Sequence, residues 1–453
     1  MIKKDFLFIF ALALLVRLIG FSLIYSQPVR FYSNSDSYNY EHIAINLIHH
    51  REFSGETQPP LTPNLSRTPV YPLLIAGIYS LTDNSIMALI LFQILIGSFT
   101  VALIPILVHS LNLSSKVGWI AGLILVFDPL IGLTTYQMIT ETVFMFFLIS
   151  TILMLIRYFK TRYLIWLAGS AVLLALTSLT RPISQFLPFV LIPLFFLAVS
   201  KDQWRFAWKG VVLFLFISLL ITYSWAYRNF SVAHIWTLST ISDQNLLYYR
   251  ARDVIAKADG MDENAASAKL KQLIQSEVET NHLSPAEEIY LMRSTALGIF
   301  RQYPEITLRV HAKGFVRVMI NPGFNLICTM LDVNEVTFDS EKNIQGCVTN
   351  EADGFFAQTI DKLGQMSLLE KLTAVLGILL LVGMYLGAAI GAWKLLRDKQ
   401  WYLLYLFLIL IAYFSILSAG GESVSRFRIP FIPFLAILAG IGVINSTPAH
   451  KEG

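Results

Sequence analysis

Long apolar runs separated by short polar turns dominate the chain. A run of about 17–25 apolar residues can cross a bilayer as a helix. The pattern therefore predicts an all-α polytopic membrane protein, and the stretches that qualify as spans are 6–26, 86–108, 117–136, 140–158, 163–180, 184–200, 208–225, 366–393, 401–418 and 429–446.

The apolar run at 70–82 is too short for a simple span. Counting it as one would reverse the side of every later turn and place the basic turns outside. A helix of about 13 residues instead suits the outer leaflet of the bilayer. We therefore predict about ten transmembrane helices, with 70–82 lying on the membrane.

Two long polar regions interrupt the apolar runs. The loop 27–85 contains an amphipathic helix predicted at 38–50, where Ile43, Ala44, Leu47 and Ile48 form an apolar stripe.

The second polar region, 226–365, carries a charged helical stretch at 253–280 and a helix start at Ser284-Pro285-Ala286-Glu287. Its length is sufficient for a small, mostly helical domain.

The composition agrees with this class of protein. Hydrophobic residues make up 55% of the chain and charged residues 14%, with mean hydropathy +0.61, whereas soluble domains carry roughly a quarter charged residues. The net charge of +4 is too small and too scattered to indicate nucleic-acid binding. The sequence has no Walker motif, dinucleotide glycine pattern or Gly-x-Ser-x-Gly elbow, which argues against a nucleotide-driven pump.

The basic residues predict the orientation of the chain in the membrane. With both termini in the cytoplasm, every cytoplasmic turn is basic, as the positive-inside tendency requires. Both long polar regions then lie outside the cytoplasm. The basic residues of the cytoplasmic turns are Lys3, Lys4, Lys116, Arg157, Lys160, Arg162, Lys201, Arg205, Lys209, Lys394, Arg397, Lys399 and Lys451.

Two acids on the predicted outer side are candidates for chemistry. Asp36 lies in the polar stretch SNSDSYNYEHIAINL, and Glu141 stands at the outer end of the fourth predicted span. A carboxylate at the membrane surface can take a proton from an acceptor hydroxyl as a general base. The structural alternatives are that Asp36 caps the 38–50 helix and that Glu141 complements a helix dipole.

Several arginines also fall on the outer side, against the positive-inside tendency. Guanidinium groups suit phosphate oxygens, and a lipid phosphate lies at this depth. The alternatives are snorkelling to lipid headgroups or pairing with Glu422, Asp36 or Glu141. These candidates for a phosphate site are Arg67, Arg181, Arg228, Arg426 and Arg428.

The only two cysteines, Cys328 and Cys347, lie in the second polar region. If that region faces an oxidising compartment, the two can form a disulfide, and the alternative is two free thiols.

The order of these motifs resembles bacterial membrane glycosyltransferases of the protein-mannosyltransferase and aminoarabinose-transferase type, which have the GT-C fold. The resemblance covers roughly residues 1–230 and 400–446. It rests on Arg17, on Asp36 with Tyr38, on Arg67-Thr68-Pro69-Val70-Tyr71-Pro72-Leu73, on Glu141, on Trp225, Arg228 and Asn229, and on Arg426-Phe427-Arg428-x-Pro430.

The resemblance implies an enzyme that moves a sugar from a polyprenyl-phosphate carrier to an acceptor hydroxyl outside the cytoplasm. Asp36 would act as the general base in a single inverting displacement, Glu141 as the second acid, and the arginines would hold the donor phosphate. Some relatives have a second acid directly after the first, where this chain has Ser37. The residues expected to line the substrate cavity are Tyr38, Tyr71, Trp225, Asn229 and Glu422.

On this interpretation the chain divides into an N-terminal transmembrane catalytic module (1–229), an extracytoplasmic domain (230–365) and C-terminal transmembrane helices (366–453). The expected location is the bacterial inner membrane. The partners are the lipid-linked donor, membrane lipids and an acceptor glycan, lipid or protein. A metal requirement is left open, because Asp36 and Glu141 could hold a divalent cation through oxygen ligands.

Two other classes of function remain open at this level. A secondary transporter or lipid flippase would usually show internal pseudo-symmetry and ionisable residues near mid-bilayer, and the sequence has no evident repeat. A non-catalytic membrane scaffold would leave Asp36 as a cap and the arginines as headgroup anchors.

Overall fold

A computed structural model describes residues 2–331 and 366–444, and within these ranges the secondary structure is entirely helical. The first half of the chain contains eleven α-helices: α1 (Ile2–Ile24), α2 (Asn34–His49), α3 (Val70–Thr82), α4 (Ile86–Ser110), α5 (Ser115–Phe127), α6 (Pro129–Thr134), α7 (Glu141–Thr161), α8 (Leu164–Thr180), α9 (Leu187–Val190), α10 (Ile192–Leu197) and α11 (Trp204–Ala233).

The remaining described part begins with short helices and ends with apolar ones. A π-helical turn (Leu246–Ala251) joins the first two of them, and a 3₁₀ turn (Ser425–Arg428) precedes the last. The α-helices are α12 (Ile241–Asn245), α13 (Arg252–Asp259), α14 (Glu263–Asn281), α15 (Pro285–Gln302), α16 (Pro304–Ile320), α17 (Phe324–Leu331), α18 (Leu368–Arg397), α19 (Trp401–Leu417) and α20 (Ile432–Val443).

Helices long and apolar enough to cross a membrane confirm the predicted class of protein. Among the described residues five meet this test, at Lys3–Ile24, Ile86–Ser110, Glu141–Thr161, Lys201–Ala233 and Leu368–Arg397. The other predicted spans are shorter or broken apolar helices. One pair that the sequence did not predict as a span, α16 with α17, also passes the test as a single span bent by 49°.

Two predicted spans are interrupted where a helix must restart. The span predicted at 117–136 breaks at Asp128-Pro129: Asp128 accepts a hydrogen bond from the Ile131 backbone N–H at 3.0 Å and so caps α6. The span predicted at 184–200 divides into α9 and α10, each with a proline in its first turn. Proline lacks the N–H that would continue a helix, so it favours a new start.

In the polar regions, the starts of α3 and α15 agree with the predicted helix starts, and the start of α2 does not. Helix α3 matches the predicted short helix 70–82, and α15 begins with a capping box between Ser284 and Glu287. Helix α2 starts four residues before the predicted 38–50 helix, at Asn34. Asp36 therefore lies inside the first turn, and the N-cap position belongs to Ser33, whose side chain makes no capping hydrogen bond.

The described helices bury two main apolar cores. The larger joins α1, α4, α5, α7, α8 and α18–α20. A separate core lies between α13, α14, α15 and α16, where Leu270, Ile274, Met292 and Val310 are buried. This second core is consistent with a helical domain after α11, while the proposed division at 230 and 365 stays a prediction.

One cysteine of the predicted pair lies within the described residues. Cys328 is buried in α17, and Cys347 lies outside the described residues. The Cys328–Cys347 disulfide therefore remains a prediction.

Glycines let α18 and α20 approach closely. An added Cβ at Gly391 would overlap the Leu438 carbonyl, and one at Gly442 would overlap the Gly387 carbonyl. Small residues at such crossings allow two backbones to pack together where lipid offers no hydrophobic gain. This crossing lies in the second half of α20, between Leu438 and Gly442.

We predict that Gly391→Ala lowers the thermal midpoint of the protein in detergent. The new methyl group meets a backbone carbonyl that cannot rotate away, and overpacking of this kind costs about 1–3 kcal/mol. Gly383 is the matched control, because it lies on the same helix with no atom within 4 Å of an added Cβ. Equal midpoints for Gly391→Ala and Gly383→Ala would contradict the close crossing.

Candidate functional site

Asp36 lies between two arginines from distant parts of the chain. Its Oδ1 accepts a hydrogen bond from Arg67 Nη2 at 2.7 Å, and its Oδ2 accepts one from Arg426 Nη2 at 3.1 Å. The side chain of Asp36 is 28% exposed. The carboxylate is therefore paired with two guanidinium groups and still reachable from solvent.

Glu141 joins the same cluster from the opposite side. It is almost fully buried and forms an ion pair with Arg181. Its Oε1 also lies 3.6 Å from Arg426 Nε. Arg426 thus contacts both acids, and we call Asp36, Glu141, Arg67, Arg181 and Arg426 the two-acid cluster.

Backbone contacts hold the start of α2 against the segment that leads into α7. The Met138 N–H donates to the Phe31 carbonyl at 2.6 Å. Ser37 Oγ donates to the Met138 carbonyl at 2.8 Å and accepts from the Ser33 N–H. Ser37, where some relatives have an acid, is therefore an anchor that fixes Asp36 relative to Glu141.

A side-chain turn positions Arg67. Asn64 Oδ1 accepts from the backbone N–H groups of Ser66 and Arg67, at 3.1 and 3.0 Å, a local pattern that favours a turn. Thr68 Oγ1 then donates to the Thr180 carbonyl at 3.1 Å. This bond ties the loop to the end of α8, one residue before Arg181.

Arg181 and Arg426 both occupy breaks next to helices. Arg181 follows α8 in extended backbone and precedes Pro182, as expected because proline disfavours the helical conformation of the residue before it. Arg426 lies in the 3₁₀ turn before α20. The Phe427 ring lies 5.5 Å from the Arg181 guanidinium and 5.8 Å from that of Arg426, so it packs between them.

The charges in the two-acid cluster do not cancel. Two carboxylates face three guanidinium groups, which leaves one positive charge. Burial acts to raise the pKa of Asp36, but Arg67 and Arg426 outweigh it and hold that pKa below its usual range. Asp36 is therefore ionised at neutral pH, and an incoming anion would meet an excess of positive charge.

The structure does not bring Arg228 into the two-acid cluster. Arg228 Nη1 donates to the Asn64 carbonyl at 2.9 Å and to Asn229 Oδ1 at 3.0 Å. Its guanidinium lies over the Trp225 ring, and Asn229 is buried against the carbonyl of Thr237. These three predicted site residues brace the loop that carries Arg67.

Arg428 also points away from the two-acid cluster. It is buried, and its Nη1 donates to the carbonyls of Val318 and Met319 at the end of α16. It belongs to a separate buried group with Asp128 and Arg17. Arg426 and Arg428 thus lie in one 3₁₀ turn, but Arg426 contacts the acids and Arg428 contacts backbone carbonyls of α16.

The remaining predicted cavity residues contact other side chains. Tyr71 is buried and donates to Gln93 Oε1 at 2.7 Å. Tyr38 is partly exposed and stacks on Tyr32 with ring centres 4.6 Å apart. Glu422 pairs with Arg250 at 2.6 Å, so it belongs to another ion pair.

Sequence reasoning missed two residues beside Arg67. Its Nε donates to Asn39 Oδ1 at 3.0 Å, and its guanidinium lies 4.8 Å from the centre of the Tyr40 ring. Both follow Asp36 in α2 at spacings of three and four. That spacing places side chains on one helix face and could have predicted them.

The donor set of the cluster does not suit a divalent cation. Both carboxylates already pair with guanidinium groups, and Arg426 occupies the space next to both. Over the described residues no group of three or more His, Cys, Asp or Glu side chains is arranged to hold a metal ion.

The ion pairs of Asp36 predict how stability depends on pH. Because its pKa in the folded protein is below the ordinary value of 3.8, its contribution is fully present above that value and is lost as pH falls through the folded pKa. We expect Asp36→Asn to lower the thermal midpoint at pH 7 and to match the wild type increasingly below about pH 4.

Glu305→Gln is the control for that titration, since Glu305 forms an exposed pair with Arg309 and such pairs contribute little. A midpoint difference between wild type and Asp36→Asn that is the same at pH 3 and pH 7 would contradict the pairing.

Comparison with known proteins supports the fold. A family model described as dolichyl-phosphate-mannose-protein mannosyltransferase matches residues 66–227. That range includes Arg67, Glu141 and Arg181 and covers somewhat more than a third of the chain. Among curated proteins no sequence matches this chain.

Solved structures match over nearly the whole chain. The Archaeoglobus fulgidus oligosaccharyltransferase in its apo form is 13% identical with a TM-score of 0.52, covering 98% of this chain and 50% of that one. The same enzyme tethered to an acceptor peptide is 14% identical with a TM-score of 0.50, covering 96% and 49%. The chain thus spans about half the length of these oligosaccharyltransferase chains.

ArnT from Cupriavidus metallidurans in its apo state is 15% identical with a TM-score of 0.40, covering 96% of this chain and 77% of that one. The family-model match and the whole-chain likeness to the oligosaccharyltransferase identify this protein as having the GT-C type fold of membrane glycosyltransferases.

Proposed function

We propose that this protein transfers a sugar from a polyprenyl-phosphate carrier to an acceptor hydroxyl on the extracytoplasmic side of the membrane. The observation that carries the proposal is the two-acid cluster, in which one guanidinium, that of Arg426, contacts both Asp36 and Glu141. The family model matching residues 66–227 is described by a dolichyl-phosphate-linked mannose donor, which supports the same class of substrate.

The charge of the cluster fits this donor. A sugar linked to a polyprenyl phosphate is a phosphodiester with one negative charge, and the cluster has one positive charge in excess. Guanidinium groups bind phosphate oxygens with two parallel hydrogen bonds where geometry allows. We infer that Arg67, Arg181 and Arg426 receive the donor phosphate.

The proposed reaction is a single displacement at the anomeric carbon. The acceptor oxygen attacks as its proton passes to Asp36, and the bond between the anomeric carbon and the phosphate oxygen breaks. The anomeric centre inverts, and the polyprenyl phosphate leaves with a second negative charge. Preorganised guanidinium groups stabilise charge that develops in this way.

Donor binding would also activate the base. While Asp36 is paired with Arg67 and Arg426, these arginines stabilise the carboxylate and lower its pKa. The paired carboxylate is therefore a weak base. A phosphate that takes over hydrogen bonds from these arginines would raise the pKa of Asp36 again. The carboxylate would therefore become a stronger base only after the donor is in place.

Glu141 would have a positioning role in this scheme. It is nearly inaccessible and lies at the N-terminus of α7, where the helix dipole favours an acid. Its contacts with Arg181 and Arg426 would hold both guanidinium groups in place when the phosphate arrives and leaves.

The helix directions support an extracytoplasmic site. Glu141 begins α7, Arg181 follows α8, and Arg426 precedes α20, so all three lie at one end of antiparallel helices. At the opposite end, Arg157 and Lys160 lie in the last turns of α7 and Arg162 directly follows it. By the positive-inside tendency, that opposite end would face the cytoplasm.

We predict that Asp36→Asn reduces turnover by about 10²–10⁴-fold, the usual contribution of a general base. The assay uses purified protein in nanodiscs with a panel of polyprenyl-phosphate sugars and candidate acceptors, and it follows release of free polyprenyl phosphate. Glu305→Gln, an exposed acid far along the chain, is the control and should keep wild-type turnover.

Turnover by the wild type with equal turnover by Asp36→Asn would remove Asp36 from the chemistry. Donor movement across the bilayer without release of polyprenyl phosphate would favour the transporter or flippase class instead.

We further predict that Arg426→Gln weakens binding of polyprenyl phosphate by at least about tenfold, because it removes a charge-assisted contact worth roughly 1.5–3 kcal/mol. Arg309→Gln provides the charge-matched control, since Arg309 is exposed and pairs only with Glu305 among the described residues. Binding by fluorescence titration in nanodiscs gives both affinities. Unchanged affinity in Arg426→Gln would exclude this arginine as a phosphate ligand.

A further inference from the structure

A second polar cavity lies away from the two-acid cluster, between α13, the start of α14, α16 and the turn at Gly420. Its volume is about 300 Å³. Val310 forms an apolar part of the wall, and charged side chains of both signs line the rest. Three of the helices that share the smaller apolar core, α13, α14 and α16, form its walls.

The acids on the cavity wall already have partners. Asp253 accepts hydrogen bonds from Arg252 at 2.9 and 2.6 Å, and Glu263 pairs with the same arginine at 2.9 Å. Asp262 caps α14 by accepting from the backbone N–H groups of Asn264 and Ala265. The three carboxylates are therefore occupied by Arg252 and by the start of a helix.

The cations on the wall have no such partners among the described residues. Lys313 and Arg317 lie on one face of α16 at a spacing of four residues, and Lys257 lines the cavity from α13. Within the described parts of the chain, none of the three side chains forms an ion pair or hydrogen bond. With Arg252 included, four cations face three carboxylates around this cavity, which leaves one positive charge in excess.

We propose that this cavity binds an oxyanion, the phosphate ester or carboxylate group of a ligand, through Lys257, Lys313 and Arg317. The volume admits a group larger than inorganic phosphate. Lys257 and Lys313 are exposed and Arg317 half-buried, so an anion can reach them without a large cost of desolvation. The proposal is independent of the transfer reaction proposed above.

Helix α16 connects this cavity with the segment that carries Arg426. A Cβ at Gly314 would overlap the backbone of Gly420, so the two backbones are in direct contact. Four residues later α16 accepts the hydrogen bond from Arg428 through Val318. An anion bound against Lys313 and Arg317 would therefore lie on the same helix that supports the turn before α20.

The test measures thermal midpoints of the full chain in detergent at constant ionic strength, with chloride replaced stepwise by inorganic phosphate. All proteins carry Arg67→Gln, which weakens the other candidate phosphate site. A ligand that binds the folded state raises the midpoint in a saturable way, from which an affinity follows. We expect Lys313→Gln/Arg317→Gln to weaken that affinity at least about tenfold.

Lys271→Gln/Arg301→Gln is the matched control, because it removes the same charges from exposed positions of α14 and α15 outside the cavity. It should keep the affinity of the parent. If the cavity double variant does not fold, Lys257→Gln from the opposite wall carries the test with the same expected loss.

Measurements in nanodiscs distinguish a lipid headgroup from a soluble ligand as the source of the anion. If a lipid headgroup supplies it, phosphatidylglycerol raises the parent midpoint relative to phosphatidylcholine, and the double variant lacks this gain. If the ligand is soluble, only added phosphate has the effect, and either result supports the site. An equal phosphate effect in parent and cavity variant, or a parent midpoint that responds to neither phosphate nor phosphatidylglycerol, would overturn the proposal.

Discussion

The contact of Arg426 with both Asp36 and Glu141 is the interaction on which the proposed site depends. These acids belong to α2 and α7, which are separated in sequence by the whole of α3–α6. Without a shared cation, two carboxylates in a partly buried position would repel each other, and each would favour the protonated form. Arg426 removes that repulsion, and Arg67 and Arg181 then complete the pairing at either end.

This arrangement demands that distant helix ends be fixed to one another. The Met138 hydrogen bonds hold the start of α2 against the entry of α7, and Thr68 holds the Arg67 loop on the end of α8. The 3₁₀ turn that carries Arg426 is held by Arg428, whose Nη1 donates to the carbonyls of Val318 and Met319 at the end of α16. Apolar helix packing and these hydrogen bonds thus bring five charged side chains together at one end of the helices.

All five members of the two-acid cluster are candidates from the sequence, because span counting and basic turns predict one side for them and the resemblance includes their motifs. It could not predict side-chain direction within a turn. Arg426 and Arg428 are two residues apart, yet one contacts acids and the other contacts the carbonyls at the end of α16. Likewise the resemblance points to Tyr38, whereas Tyr40, four residues after Asp36 in α2, lies beside Arg67. The predicted span 184–200 passes through Pro188 and Pro193, because apolar content alone does not mark where a helix restarts.

The central claim is that a donor phosphate takes the place now shared between the arginines and Asp36. The most direct measurement is an experimental structure, by electron cryomicroscopy, of the protein in nanodiscs with bound polyprenyl phosphate. The account predicts phosphate oxygens within hydrogen-bond distance of Arg426 and of Arg67 or Arg181, with the Asp36 carboxylate released from at least one of its present partners. A phosphate bound elsewhere, with both Asp36 pairs unchanged, would contradict it.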